Sequence, residues 1–294
     1  MYKIAILGSE NSHARAFSQL VNTGHPLLGG VPYADFKVIG VCGDSAEENK
    51  YLCETYGIPE TSEDGDAWLG RVDAIMVTAR SGAKHLNYAK KYIERGVPAF
   101  IDKPITIDED EAIELARLAK SKNVPLTGGS VCGVVTDAAN LRSLVRSGNL
   151  GRIFGGSVVA PINMKNEWGD FFFYSQHLVQ MMMEVFGNDI ESVLALGRED
   201  AATFIARYKD YDVTGHYGSS SYSVDIHAHH SVIHKDLDIL TDGFLREFEL
   251  FAHMVRTGKM LTTYEDLIAP VFVLNAINKS LKTGELTPVR KVVL

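Results

Sequence analysis

Cysteine is scarce in this 294-residue chain: Cys42, Cys53 and Cys132 are the only three, and no two stand in a Cys-x-x-Cys spacing. The odd count argues against a disulfide framework and makes a reducing cytoplasm the expected compartment. No residue beside any of them marks an activated thiol, so none is expected as a nucleophile. Long apolar runs are missing as well. Nothing approaches the roughly 18 residues of a membrane-spanning helix, and the short apolar run after Lys3 is too brief for a signal-peptide core. Positive charge is also wanting: 29 Lys and Arg against 37 Asp and Glu leave a net charge of −8. That balance lacks the basic footprint expected of a nucleic-acid or anionic-membrane binder. Internal repeats and low-complexity tracts are absent too. What is present, 46% apolar and 22% charged residues, describes a globular protein long enough for two ordinary domains.

Short apolar runs at 3–7, 37–42, 73–78, 98–101 and 124–127 are bounded by Gly, Pro or Asp and read as strands. Helical patterns lie between them. Phe17, Leu20 and Val21 share one face, and Ser45 with Glu48 has capping-box spacing. Ala112, Leu115, Ala116 and Ala119 form a stripe in a segment that begins acidic and ends basic, as the helix dipole favours. This alternation predicts right-handed crossovers and a parallel, doubly wound sheet over residues 1–126. From 127 to 294 the pattern changes. Helices are expected at 136–147 and 176–186, each ended by glycine, then β-rich stretches ending in YSVDIHAHHSVIH, then helices at 243–257 and 265–282. The fold class is therefore α/β, with a second α/β domain on an open, mostly antiparallel sheet.

The first strand runs into Gly8-Ser9-Glu10-Asn11-Ser12-His13. A dinucleotide fingerprint has three glycines here, for the tight turn, for close approach of pyrophosphate and for helix–strand packing. Only Gly8 remains. Glu10 sets a carboxylate where an anion would approach, which is unfavourable unless it points away. Asn11 or Ser12 can cap the following helix and leave backbone N–H groups for a phosphate. Asp44, just past the second strand, stands near the place of the acid that takes the ribose hydroxyls of NAD; a plain turn residue is the alternative.

A longer stretch is more specific. Residues 72–120, VDAIMVTARSGAKHLNYAKKYIERGVPAFIDKPITIDEDEAIELARLAK, resemble the Gfo/Idh/MocA family of oxidoreductases. His85 matches the histidine-bearing helix after the third long strand, and Asp102-Lys103-Pro104 matches the family's Glu-Lys-Pro. The likeness continues through LVRSGNLGRI and EFELFAHMVRTGKMLTTYEDL. It implies a Rossmann domain, a C-terminal domain whose sheet face joins subunits, and a substrate cleft between them. The expected cofactor is NAD in preference to NADP, since Gly43-Asp44-Ser45 offers a carboxylate and no cation to a 2′-phosphate.

The resemblance makes Lys103 catalytic or substrate-orienting, and the Lys103–Pro104 bond is a candidate cis peptide. His177 aligns with the histidine of an Asp-x-Gly-x-His pattern, but Phe173 stands in place of the Asp, Ser175 of the Gly, and Gln180 where a second Asp is frequent. Phe173 cannot orient or stabilise an imidazolium as a carboxylate would. Tyr174 offers a hydroxyl near the same place. Arg80 departs from the family's Pro and could meet a cofactor phosphate or a substrate carboxylate. Catalytic candidates are thus Lys103, His177 and Tyr174. Cofactor candidates are Gly8, Asn11, Ser12, Asp44, Arg80, His85, Asp102 and Lys103. In HAHHSVIH, His227 and His229 would share one strand face and His230 and His234 the other; a polar strand face is expected there, not a metal site. The expected protein is a homo-oligomeric dehydrogenase of a sugar, cyclitol or related polyol, with no nucleic-acid or membrane partner. Two other readings stay open: a nucleotide-binding regulatory protein without turnover, and a lyase or hydrolase that cycles its nicotinamide internally.

Overall fold

The computed structural model describes residues 1–25 and 28–294. Six strands form the first sheet: β1 (Tyr2–Leu7), β2 (Phe36–Cys42), β3 (Glu60–Thr61), β4 (Ala74–Val77), β5 (Ala99–Asp102) and β6 (Leu126–Gly129). All pairings are parallel, in the order β3-β2-β1-β4-β5-β6. Ile4 to Leu7 and Ala74 to Val77 are wholly buried, as strands covered on both faces must be. The order reverses between β1 and β4, and open α/β sheets bind ligands at the carboxyl ends beside such a reversal.

The crossovers are α1 (Ser12–Ser18), α2 (Ala46–Tyr56), α3 (His85–Glu94) and α4 (Glu109–Lys122). Helix α1 continues as a wider π turn over 19–23. Ser45 caps α2 by accepting from the Glu48 N–H, the contact its spacing predicts. Asp108 caps α4 by accepting from Asp110 and Glu111.

The second sheet joins β7 (Ile153–Ala160), β8 (Ser192–Gly197), β9 (Ala202–Arg207), β10 (Asp212–Tyr217), β11 (Ser223–Ala228), β12 (Val232–Asp236) and β13 (Thr287–Pro288). Its order is β12-β11-β7-β10-β9-β8-β13, antiparallel except for β7 with β10. Strict alternation buries Val193, Ala195, Phe204, Ala206, Val213 and Tyr217 on one face, against α5 (Thr136–Arg146) and α6 (Phe171–Phe186) and their neighbours. The other face leaves Leu194, Leu196, Ile205 and Phe154 exposed.

Three details differ from the sequence reading. Helix α6 begins at Phe171 rather than 176, because burial of Phe171 and Phe173 draws the aromatic run into the helix despite modest propensity. The stretch expected as a single polar strand face reverses direction: Ala228 and Ser231 close a turn, so His229 and His230 lie in the reversal and not on a strand. His227 and His229 therefore do not share a face. Finally β6 carries the first sheet to Gly129, past the expected boundary at 126. The closing helices α7 (Gly243–Thr257) and α8 (Tyr264–Thr283) return to that first sheet. Phe248 and Phe251 pack with Ile4, Phe17 and Phe36, and Ile268 and Phe272 with the core under α3 and α4.

Candidate active site

Lys103 follows β5 directly, at the carboxyl edge of the sheet, and its peptide bond to Pro104 is cis. It is 4% exposed. Its ammonium donates to the Phe173 carbonyl at 3.1 Å and lies 4.4 Å from the centroid of the Phe173 ring and 5.1 Å from that of Tyr174. Burial holds the Lys103 pKa below the usual lysine range, with Asp102 opposing part of that effect. A lysine so placed gives up its proton more readily than one in water.

His177 sits two turns into α6 beside Tyr174: their rings are 5.0 Å apart. The structure thus brings Lys103, Tyr174 and His177 together. Where the sequence lacks an orienting carboxylate, the His177 Nδ1 instead meets the Ser130 hydroxyl at 2.7 Å. Burial, and then the charges of Lys103 and His13, hold the imidazole pKa well below its ordinary value. Gln180 accepts from the Ser130 N–H at 2.7 Å and from Gln176 at 2.9 Å, tying α6 to the end of β6. Tyr174 and Tyr222, both against His177, also line a hollow of about 650 Å³ with Asn163 and Asp238.

Asp102 is a bracket, wholly buried. Its carboxylate accepts from the Lys103 N–H at 2.7 Å and from the Asn11 amide at 2.7 Å, and lies 3.3 Å from His13 Nδ1. His13, in the last place of the glycine turn, reaches Glu247 of α7 at 3.0 Å through Nε2. Burial lowers the His13 pKa, but the Asp102 and Glu247 carboxylates outweigh it and leave the pKa raised. Neither this buried triad nor Ser130 is legible in the sequence, because each partner lies far along the chain from the other. A bulky, titratable residue in a place that favours glycine was the one available signal.

The remaining candidates divide. Asn11 is the helix cap, accepting from the His13 N–H, while Ser12 is exposed and donates to Asn11. The Arg80 guanidinium lies 4.4 Å over Trp168, which packs on Phe173 at 4.7 Å. Asp44 is exposed and ion-paired with Lys84. His85 is wholly buried and held below the usual histidine pKa by burial, so its single ring N–H can donate to only one of the two carbonyls facing its nitrogens, Ala79 at 2.8 Å or Ile105 at 3.3 Å, and the ring is sealed from a ligand.

The turn fits a dinucleotide. Gly8 has φ of +110°, and a Cβ there would stand 2.0 Å from the Ala79 nitrogen. Among the described residues, no hydrogen bond takes the N–H of Glu10 or Asn11, which leaves donors for a phosphate. The Glu10 carboxylate does turn aside. One oxygen accepts from the Arg80 N–H at 3.3 Å, and the other lies close to Gly43, buried and unpartnered.

Residues 2–130 match the Gfo/Idh/MocA family, described as an oxidoreductase family with an NAD-binding Rossmann fold. Over 181 residues the chain is 28% identical to the myo-inositol dehydrogenase Hyg17 of Streptomyces leeuwenhoekii, a match covering 58% of this chain and 55% of that protein. The chain thus spans little more than half the length of this curated relative. Its fold is that of the scyllo-inositol dehydrogenase from Lactobacillus casei solved with NAD(H) and scyllo-inositol (TM-score 0.84, 15% identity, 98% and 99% of the two chains). It is equally that of a myo-inositol 2-dehydrogenase from Lactobacillus plantarum (TM-score 0.85, 14% identity, 98% and 99%). The motifs, the two-sheet architecture and these matches agree: residues 2–130 of the chain form an NAD-binding Rossmann domain of the Gfo/Idh/MocA oxidoreductase family, NAD being the cofactor its sequence led us to expect.

Proposed function

We propose that the protein is a dehydrogenase that oxidises a secondary alcohol of a cyclitol, sugar or related polyol, using NAD. The observation that carries this reading is the grouping of a buried lysine and a buried histidine about one tyrosine ring, 5.1 and 5.0 Å from its centroid, with the lysine directly after β5 at the carboxyl edge of the Rossmann sheet. The free N–H groups after Gly8 would hold the pyrophosphate. Asp44, exposed just past β2, would face the adenosine ribose and accept its hydroxyls. Once bound, the nicotinamide supplies the hydride acceptor.

The chain's own residues do the rest. Lys103 in its amine form takes the proton of the substrate hydroxyl, and as an ammonium it returns that proton in the reverse direction. His177 binds the same oxygen or its neighbour. The Tyr174 ring fixes the spacing of the two groups, and its hydroxyl assists. Phe173, Trp168 and the Arg80 guanidinium cover the Lys103 side of the cleft and keep water from the reacting carbon.

Several relatives are named for inositols, which makes cyclitols the first substrates to try. We also propose that the exposed face of the second sheet joins copies of the chain, and that the protein works in the cytoplasm. The test is cofactor reduction, followed by absorbance, across inositol isomers, hexoses and other polyols with NAD and NADP. Turnover of at least one alcohol with NAD is expected. Cofactor binding by calorimetry without turnover of any alcohol would favour the regulatory reading, and no binding at all would refute both.

A further inference from the structure

Ser130 lies just beyond β6, 1% exposed, and its hydroxyl has two partners. It accepts from the Cys132 N–H at 3.1 Å and stands 2.7 Å from His177 Nδ1. A hydroxyl owns one proton. If that proton goes to Nδ1, both contacts are satisfied and the imidazole carries its own proton on Nε2. If Nδ1 instead donates to the hydroxyl, the serine proton is left buried with no acceptor, since among the described residues no other hydrogen bond reaches this oxygen.

The Cys132 sulfur, 3.6 Å from the same Nδ1, does not change the outcome. Burial pushes that thiol up to about 12, so it stays protonated, and an Nδ1–H pointing at sulfur would again strand the serine proton. The titratable groups facing the ring are Lys103, His13, Cys132, Tyr174 and Tyr222. None of them is a carboxylate. Nε2, on the far edge of the ring, has no hydrogen-bond partner among the described residues and is not one of the sealed, unpartnered atoms.

We propose that Ser130 is a positioning residue that locks His177 in the Nε2–H tautomer, making it a hydrogen-bond donor to the substrate oxygen and leaving Lys103 as the only proton acceptor. The catalytic half of this statement rests on the dehydrogenase reading above; the tautomer half does not. In the oxidation, the hydroxyl proton moves to the Lys103 amine, the hydride leaves the carbinol carbon for the nicotinamide, and the carbonyl forms. His177 keeps its proton throughout and stabilises the alkoxide character of the oxygen.

The tautomer is read directly by nitrogen-15 NMR of the full-length protein labelled at histidine, without cofactor or substrate, with His177 assigned from the spectrum of His177→Asn. The expected result is an unprotonated Nδ1 and a protonated Nε2, unchanged across about pH 5–8, where an ordinary histidine titrates. A protonated Nδ1, or an imidazolium forming within that range, would overturn the proposal whatever the enzyme turns over. Ser130→Thr, which keeps the hydroxyl, should preserve the signature, whereas Ser130→Ala should mix the tautomers and lower kcat about tenfold with KM little changed. Ser130→Asp supplies an acceptor for Nδ1–H and should reverse the tautomer and add a second limb to the pH profile of kcat. An unchanged signature in both Ser130→Ala and Ser130→Asp would refute the role of Ser130.

Discussion

Replacing Lys103 by methionine removes a charge and a donor while keeping the length of the side chain. Three contacts change. The Phe173 carbonyl loses its donor at 3.1 Å, the Phe173 and Tyr174 rings lose a cation, and Asp102 loses a neighbouring charge. The Asp102 carboxylate keeps its bonds from the residue-103 N–H and Asn11 and its contact with His13, and the uncharged stem suits a site that is 4% exposed. Folding should therefore survive, and because a buried ammonium carries its own desolvation cost, thermal stability should change little. Turnover should not survive well. Loss of a positioned acid–base group costs about 10²- to 10⁴-fold, or about 2.7–5.4 kcal/mol of barrier at 1.36 kcal/mol per decade. The assay is steady-state cofactor reduction with the best polyol, paired with calorimetric NAD affinity and a melting curve. Turnover within about threefold of the parent, in a folded variant that still binds NAD, would show that the proton goes elsewhere.

The turn gives a sharper structural prediction: Gly8→Val places its Cβ on the Ala79 backbone at 2.0 Å and should abolish NAD binding by calorimetry, and normal affinity would move the site elsewhere. His13→Gln breaks a buried ion cluster, which typically costs about 3–5 kcal/mol. Because the folded pKa of His13 is raised, its contribution is fully present below the unfolded value near about 6.5 and is lost as pH rises through the folded value. The gap in Tm between parent and variant should thus be widest near about pH 6 and close on the alkaline side; a gap constant with pH would refute the assignment. Leu196→Asp, on the exposed sheet face at a position 71% open, should lower the mass found by light scattering if that face joins subunits, and a monomeric parent would end the idea.

Much of this fold could be read from the chain. Local signals dominate the Rossmann half: β1, β2, β4, β5 and β6 fall on the apolar runs, the two-residue β3 (Glu60–Thr61) alone had no such signal, and Ser45 caps α2 through a contact three residues away. The closing helix expected at 243–257 is α7, residue for residue. Lys103 was legible because its neighbours form a contiguous motif. His177 was legible only through the family pattern, and its orienting partner was not, since Ser130 lies 47 residues away and replaces a carboxylate with a hydroxyl. His85 shows the reverse failure. A histidine at a motif position reads as a ligand contact, yet this ring is wholly buried among backbone carbonyls. The hairpin at β11 and β12 was hidden for a similar reason: its turn holds histidines and a serine rather than the Asn-Gly or Asp-Gly that announces a reversal.

The return of α7 and α8 to the first sheet has a consequence for how the chain is made. When β6 leaves the ribosome the six parallel strands are complete, but the face that holds Ile4, Phe17 and Phe36 still lacks Phe248 and Phe251. About a hundred residues must follow before α7 is synthesised, which at about 5–20 residues per second is on the order of 5–20 seconds. Throughout that interval the nascent nucleotide-binding half carries an open aromatic surface. It is a natural client for a ribosome-associated chaperone, and a fragment that stops after β6 should be recovered as aggregate rather than as a small folded NAD-binding protein.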